Sequence, residues 1–244
     1  MIYAKKKVKD NIKVSADIFK LTIKGNFKAK PGQFYMLKAW EEGLLLPRPI
    51  SVHEVNEEGI TFLYAVVGKG TKILSKLKEN DEVSIMGPLG NGFDVESIKG
   101  KVAVISGGIG IAPMNYLIKS LKGCSVDLYA GFRDSSYGLE EVEEYVNSIY
   151  VATETGKTGY KGFITDLLKP EEYDLVICCG PEIMMKKVAY MCMEKGVEVY
   201  VSMENRMACG VGACLVCTCK TKEENKRTCK DGPVFKGRDL VFSD

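Results

Sequence analysis

The chain has 244 residues, of which 45% are hydrophobic and 27% charged, with a formal net charge of +2. These are the proportions of a globular protein long enough for one large domain or two to three small ones. The charge balance gives no reason to propose nucleic acid or an anionic membrane as partner. No apolar run approaches the roughly 20 residues that span a bilayer, and no apolar signal core follows the lysine-rich start, so a cytoplasmic location is expected.

The first part reads as β structure. Lys5–Val14, Ile18–Ile23, Phe34–Ala39, Ile50–Val55 and Ile60–Val66 are short apolar or alternating runs. Turn signals separate them at Gly25-Asn26, Pro31-Gly32, Glu42-Gly43 and Glu58-Gly59. Strands at this spacing predict a barrel or sandwich. A short helix is expected over Thr71–Leu77 and a further strand over Glu82–Met86. The Gly/Pro-rich stretch Gly87–Gly92 is the expected hinge to the next domain.

Near residue 100 the pattern changes. Val102–Ser106 is continuously apolar, as a strand buried on both faces must be. Then follow helix Ala112–Leu121, strand Val126–Ala130, helix Leu139–Val146, strands Ile149–Ala152 and Leu175–Cys179, helix Glu182–Lys195 and strand Val197–Met203. The alternation predicts a doubly wound α/β domain with a parallel sheet. The expected domains are 1–96, 97–202 and 203–244. The last has little periodicity and is short for an independent core, which predicts a metal.

Nine cysteines and one histidine, His53, are present. Five cysteines crowd between Cys209 and Cys229, and the total is odd, which argues against a disulfide framework. Four residues separate Cys209 from Cys214, two separate Cys214 from Cys217, and eleven separate Cys217 from Cys229. That is plant-type [2Fe–2S] spacing, three thiolates from one tight loop and a distant fourth. Gly210, Gly212 and Ala213 let backbone N–H groups approach the sulfurs. Structural zinc is the alternative, but it usually takes two separated C-x2-C pairs, and only one is present. Cys219 falls outside the spacing and is expected to be a spare thiol. Cys124, Cys178 and Cys192 read as small core residues.

Two segments of the β region suit phosphate. In Arg48-Pro49-Ile50-Ser51 the proline holds Arg48 extended, where its guanidinium can pair with phosphate oxygens. Gly68-Lys69-Gly70-Thr71 opens a helix, an anion-competent N-terminus. Gly107-Gly108-Ile109-Gly110-Ile111-Ala112-Pro113 follows a strand and opens a helix, the context of a dinucleotide loop. The third glycine of G-x-G-x-x-G is absent, and Pro113 stands near its place in the first turn. After the next strand, Arg133 could meet a 2′-phosphate and Asp134 a ribose hydroxyl, so NAD and NADP both stay open.

The combination resembles the ferredoxin-reductase-type flavoproteins. The resemblance implies an antiparallel FAD-binding barrel, with FAD contacts at Arg48, Pro49, Ile50, Ser51, Leu63, Tyr64, Ala65, Gly70 and Thr71. It implies NAD contacts at Gly107, Gly108, Gly110 and Pro113, and at Cys179, Gly180 and Pro181, where nicotinamide meets flavin. Cys179 also reads as a core cysteine. Ala65 departs from the arginine frequent in that family, which throws the pyrophosphate more onto Arg48 and the helix start. Ser202–Cys214 is similar to the electron-transfer subunits of class 1B dihydroorotate dehydrogenases. That likeness implies an oxidoreductase subunit with FAD, a [2Fe–2S] cluster on Cys209, Cys214, Cys217 and Cys229, and NAD. It also implies a heterotetramer, two copies paired with two of an FMN-containing catalytic subunit, serving pyrimidine biosynthesis. No acid or base for dihydroorotate is apparent in this chain. A related reductase subunit, of a ferredoxin-linked transhydrogenase, a sulfide or sulfite reductase or a hydrogenase, is the alternative.

Overall fold

The computed structural model describes residues 1–242. The first strands are β1 (Ile2–Lys13), β2 (Ile18–Lys24), β3 (Phe34–Lys38), β4 (Arg48–Ser51), β5 (Glu54–Asn56) and β6 (Gly59–Ala65). Helix α1 (Lys69–Leu74) and strand β7 (Glu82–Leu89) complete this half. All seven strands pair antiparallel in the order β4-β3-β7-β1-β2-β6-β5. β4 and β5 lie at opposite ends of that order, yet only Val52 and His53 join them. The sheet is therefore rolled into a barrel. Its interior is filled by residues such as Leu21, Tyr35, Phe62 and Ile85.

The expected single strand Ile50–Val55 is thus two strands. The Val52 N–H donates to Gln33 O at 2.9 Å, and the His53 N–H donates to Thr61 O at 2.9 Å. The chain changes partner between these two residues, and that corner breaks the run.

The second half begins with β8 (Lys101–Gly107) and α2 (Ile111–Ser120), followed by β9 (Ser125–Phe132), β10 (Ser148–Thr153) and β11 (Tyr160–Lys161). Then come β12 (Leu175–Cys179), α3 (Glu182–Glu194) and β13 (Glu198–Ser202). The sheet order is β11-β10-β9-β8-β12-β13, all parallel. Val104 faces the core under α2, and Ala103 and Ile105 face the core under α3. Burial on both faces explains why β8 is continuously apolar.

Leu139–Val146 is not a helix. It holds only a 3-10 turn, Glu143–Tyr145. Its apolar residues at 139, 142 and 146 have helical spacing. Glu140 and Glu144 would repel at i,i+4 in a helix, and the Glu141 carboxylate is drawn away to His53 and Lys20.

The last segment carries the hairpin β14 (Thr218–Lys220) and β15 (Asn225–Arg227), then β16 (Val234–Lys236). β16 adds antiparallel to β13, so the tail of the cysteine-rich region extends the second sheet. The expected hinge Gly87–Gly92 is no hinge. Gly87 to Leu89 belong to β7. The Asn91 N–H donates to Gly232 O at 2.6 Å, and its side-chain amide donates to Lys230 O at 2.9 Å. Among the described residues no helix is long and apolar enough to cross a membrane.

Candidate electron-transfer site

A cavity of about 560 Å³ opens where the barrel, the second sheet and the cysteine segment meet. Its size is that of a small-molecule site. Arg48, Pro49, Ile50, Ser51, Leu63, Tyr64, Ala65 and Thr71 all line it. Residues 12 to 17 apart in sequence come together because β4 and β6 meet across the barrel closure. Arg48 is oriented by the Trp40 ring, 5.2 Å from its guanidinium carbon, and donates to the Leu46 carbonyl. Gly70 does not line the cavity. It packs under the arginine, and a Cβ there would lie 2.6 Å from Arg48 Nε. The Thr71 hydroxyl is engaged locally, accepting from the N–H groups of Val67 at 3.0 Å and Gly68 at 3.2 Å. The Tyr64 hydroxyl points away to Asn11 Oδ1 at 3.3 Å, and burial raises its pKa well above the ordinary value.

From the dinucleotide loop, Ile109, Ala112 and Pro113 reach this cavity. Gly107, Gly108, Gly110, Cys179, Gly180 and Pro181 do not line it. They stand at the carboxyl ends of β8 and β12. There the chain order reverses, because β9 lies on one side of β8 and β12 on the other. Such a switch point is where open α/β sheets take ligands. The two loops pack backbone to backbone: a Cβ at Gly110 would overlap the Cys179 carbonyl, and one at Gly180 would lie 2.8 Å from Gly107 N. Gly108 has φ +54° and open space where a Cβ would be, so a phosphate can approach its backbone. Cys179 is fully buried, with Sγ 3.9 Å from Glu204 Oε1, and burial pushes its thiol pKa well up. Asp134 is 3.5 Å from Lys157 Nζ and 3.4 Å from the Thr155 hydroxyl.

The sequence motifs missed one wall of the cavity, Met203 to Met207 together with Phe34 and Pro233. Only the similarity of Ser202–Cys214 to a known segment could have marked it. Phe34 and Met207 also belong to the apolar cluster formed by Met36, Leu89, Cys217 and Cys229. Gly210, at φ +73°, lets the cysteine loop close onto β3, where a Cβ would meet Met36 Cγ at 2.9 Å.

The four thiols are close enough to interact. Cys209 interacts with Cys214, and Cys217 with Cys229. Among the described residues no three His, Cys, Asp or Glu side chains converge as on a single ion. One C-x2-C pair beside a glycine-rich loop suits a [2Fe–2S] cluster better than structural zinc, which usually takes two such pairs. Backbone N–H groups serve the sulfurs: Gly212 donates to Cys229 Sγ at 3.1 Å, Val211 to Cys209 Sγ at 3.4 Å and Cys229 to Cys217 Sγ at 3.4 Å. Burial disfavours the Cys209 thiolate. The N–H groups of Val211, Cys214 and Ala213 and the Cys214 thiol outweigh it and bring that pKa down to about 6. Burial and the Cys217 thiol push Cys229 up to about 12. Arg227 braces the loop, donating to Gly212 O at 3.3 Å while its Nε meets Asp231 at 3.0 Å.

Residues 204–241 match the iron-sulfur cluster binding domain of dihydroorotate dehydrogenase B. The chain is 59% identical over 242 residues to a Clostridium acetobutylicum protein, covering 99% of this chain and 98% of that one. A Clostridium perfringens protein is 54% identical, with 99% of each chain covered. Both are named dihydroorotate dehydrogenase B (NAD(+)), electron transfer subunit.

The chain belongs to that family.

Its cofactors are FAD, a [2Fe–2S] cluster and NAD, and it is a flavin and iron–sulfur oxidoreductase subunit. The structure is similar to that of an NADH-dependent reduced ferredoxin-NADP oxidoreductase, with TM-score 0.88, 31% identity, and 98% of this chain and 90% of that one covered. A ferredoxin NADP+ reductase from Neisseria gonorrhoeae shares the fold at TM-score 0.63 and 16% identity, covering 84% and 94%. The alternative of a related reductase subunit is not favoured, because identity to the dihydroorotate dehydrogenase subunits is nearly double.

Proposed function

We propose that this chain accepts electrons from the FMN of a dihydroorotate-oxidising catalytic subunit and delivers them to NAD+, in a cytoplasmic heterotetramer of two plus two subunits. The observation that carries this reading is the sharing of Phe34 and Met207 between the flavin cavity and the apolar cluster around Cys217 and Cys229. This sharing supports a reading in which the two redox sites lie one layer of side chains apart. Bound FAD supplies exchange of two electrons with nicotinamide and of single electrons with an iron–sulfur cluster.

The residues of the chain bind and orient. Arg48, braced by Trp40 and Gly70, holds phosphate, and Pro49, Ile50, Ser51, Leu63, Tyr64, Ala65 and Thr71 complete the FAD site. Gly107, Gly108, Gly110 and Pro113, facing Cys179, Gly180 and Pro181, hold NAD. Cys209, Cys214, Cys217 and Cys229 hold the cluster, and the Val211 and Gly212 N–H groups stabilise negative charge on its sulfurs. Exposed Val211, Leu215 and Val216 surround the exposed Cys214 and form an apolar tip suited to the catalytic partner.

The test is an absorption spectrum with flavin, iron and FMN analysis of the purified complex. Flavin bands overlaid by iron–sulfur absorbance, both bleached by NADH, are expected. A complex without iron, or one whose second subunit lacks FMN, overturns the reading.

A further inference from the structure

His53 is the only histidine in the chain and is fully buried. It sits at the barrel corner, two residues beyond Ser51. Both ring nitrogens reach out of the barrel. Nδ1 lies 2.9 Å from the Ala112 carbonyl oxygen, and Nε2 lies 3.2 Å from Glu141 Oε2. The other Glu141 oxygen takes Lys20 Nζ of β2 at 3.1 Å. The next residue, Glu54, meets Lys119 Nζ at 2.7 Å. Ala112 and Lys119 are seven residues apart, about two helical turns. The dipeptide His53–Glu54 therefore grips one face of α2 over about 10 Å. Between these points the Tyr116 hydroxyl donates to Ala29 O at 3.0 Å.

The Ala112 carbonyl and the Glu141 carboxylate are both acceptors, so each offers a partner to a ring N–H and together they fix the plane of the ring. Lys20 gives the partly buried Glu141 carboxylate a cationic partner, so the acceptor that faces the ring is not left as an unpaired charge. His53 is anchored two residues beyond the Arg48–Ser51 strand. Its Nδ1 holds the first turn of α2, directly after the glycine loop. Ala112 itself lines the cavity. An apolar side chain at position 53 could fill the space but could not set the direction of approach.

We propose that His53 is a positioning residue that fixes the dinucleotide helix against the flavin strand, and so sets the distance between nicotinamide and flavin. The proposal rests on the FAD and NAD sites assigned above.

The test uses the intact complex with His53→Ala, Glu141→Ala, their double variant and Glu141→Gln. FAD and iron content, hydrogen exchange of the α2 amides, the nicotinamide–flavin charge-transfer band and the rate of flavin bleaching at saturating NADH are read. In His53→Ala, FAD and iron are retained, exchange over residues 111–116 rises and the band weakens. Bleaching slows on the order of ten- to a hundredfold, as expected for a misplacement near 1 Å, while the KM for NADH moves much less. The double variant is no worse than His53→Ala, because Glu141 acts through the ring. Glu141→Gln, which keeps an oxygen acceptor, recovers the band and most of the rate. Unchanged exchange and band in His53→Ala, or additive losses in the double variant, overturn the proposal. Should His53→Ala lose FAD, Glu141→Ala decides: a weakened band supports the proposal and an unchanged one overturns it. A wild-type complex without FAD, or one not bleached by NADH, refutes the site assignment instead.

Discussion

Cys217 and Cys219 stand two residues apart and face different surroundings. Cys217 is buried with Cys229 against Phe34, Met36 and Leu89, and receives an N–H from Cys229. Cys219 lies in β14, donates to Lys226 O at 3.4 Å and packs toward the α3 side of the second sheet. Successive residues of a strand point to opposite faces, so Cys217 and Cys219 could have shared one. The turn between them, with Thr218 N–H donating to Leu215 O at 3.2 Å, separates them. Cys217→Ser is expected to lose most of the iron and inorganic sulfide, whereas Cys219→Ser retains both. Chemical analysis of the purified variants checks this, and loss from Cys219→Ser alone would reassign the ligand. The spacing of the proposed ligands is legible in the sequence because three of them lie within one loop. The sequence sets Cys219 aside only by exclusion, because it falls outside the spacing.

At the scale of elements, β16 is the piece that local pattern could not reveal. Three residues carry too little periodicity to identify a strand. Its pairing with β13 buries Phe235, and Gly232 has no room for a Cβ beneath that ring. Phe235→Ala removes this contact from a core that also holds Leu240 and Phe242. It is expected to destabilise the fold by about 3–5 kcal/mol, measured by denaturant unfolding of the apoprotein. It also frees the support of the cysteine loop, because Pro233 beside β16 bridges to Asn91. The segment Leu139–Val146 shows the opposite failure. Its spacing is helical, but one glutamate is worth more to the junction with His53 than to a helix of eight residues, a length marginal by itself.

At the scale of the whole molecule, the junction between barrel and second sheet carries charge. The hydrogen bond from His53, with further attraction from that ring and from Lys20, outweighs burial and holds the Glu141 carboxyl at about 2, below its ordinary 4.5. A depressed carboxyl stabilises the folded chain fully above its unfolded value, and that stabilisation drains away as pH falls through the folded one. The junction should therefore contribute on the order of 1–3 kcal/mol near neutrality and lose it progressively between about pH 4.5 and pH 2. The gap in unfolding free energy between wild type and Glu141→Gln should be clearly smaller at pH 3 than at pH 6. The sequence by itself determined the chemistry: cysteine spacing, an arginine held extended by proline, and a glycine loop after a buried strand. Each of these is local, because a few neighbouring residues fix both the backbone shape and the ligand it suits. The tertiary structure alone decided how the sites meet. Phe34 lies more than 170 residues before Met207 and Cys217, and His53 lies 59 residues before Ala112 and 88 before Glu141. No periodicity encodes such contacts. They follow from barrel closure, which turns β4 toward β6, and from the tail of the chain returning to the edge of the second sheet.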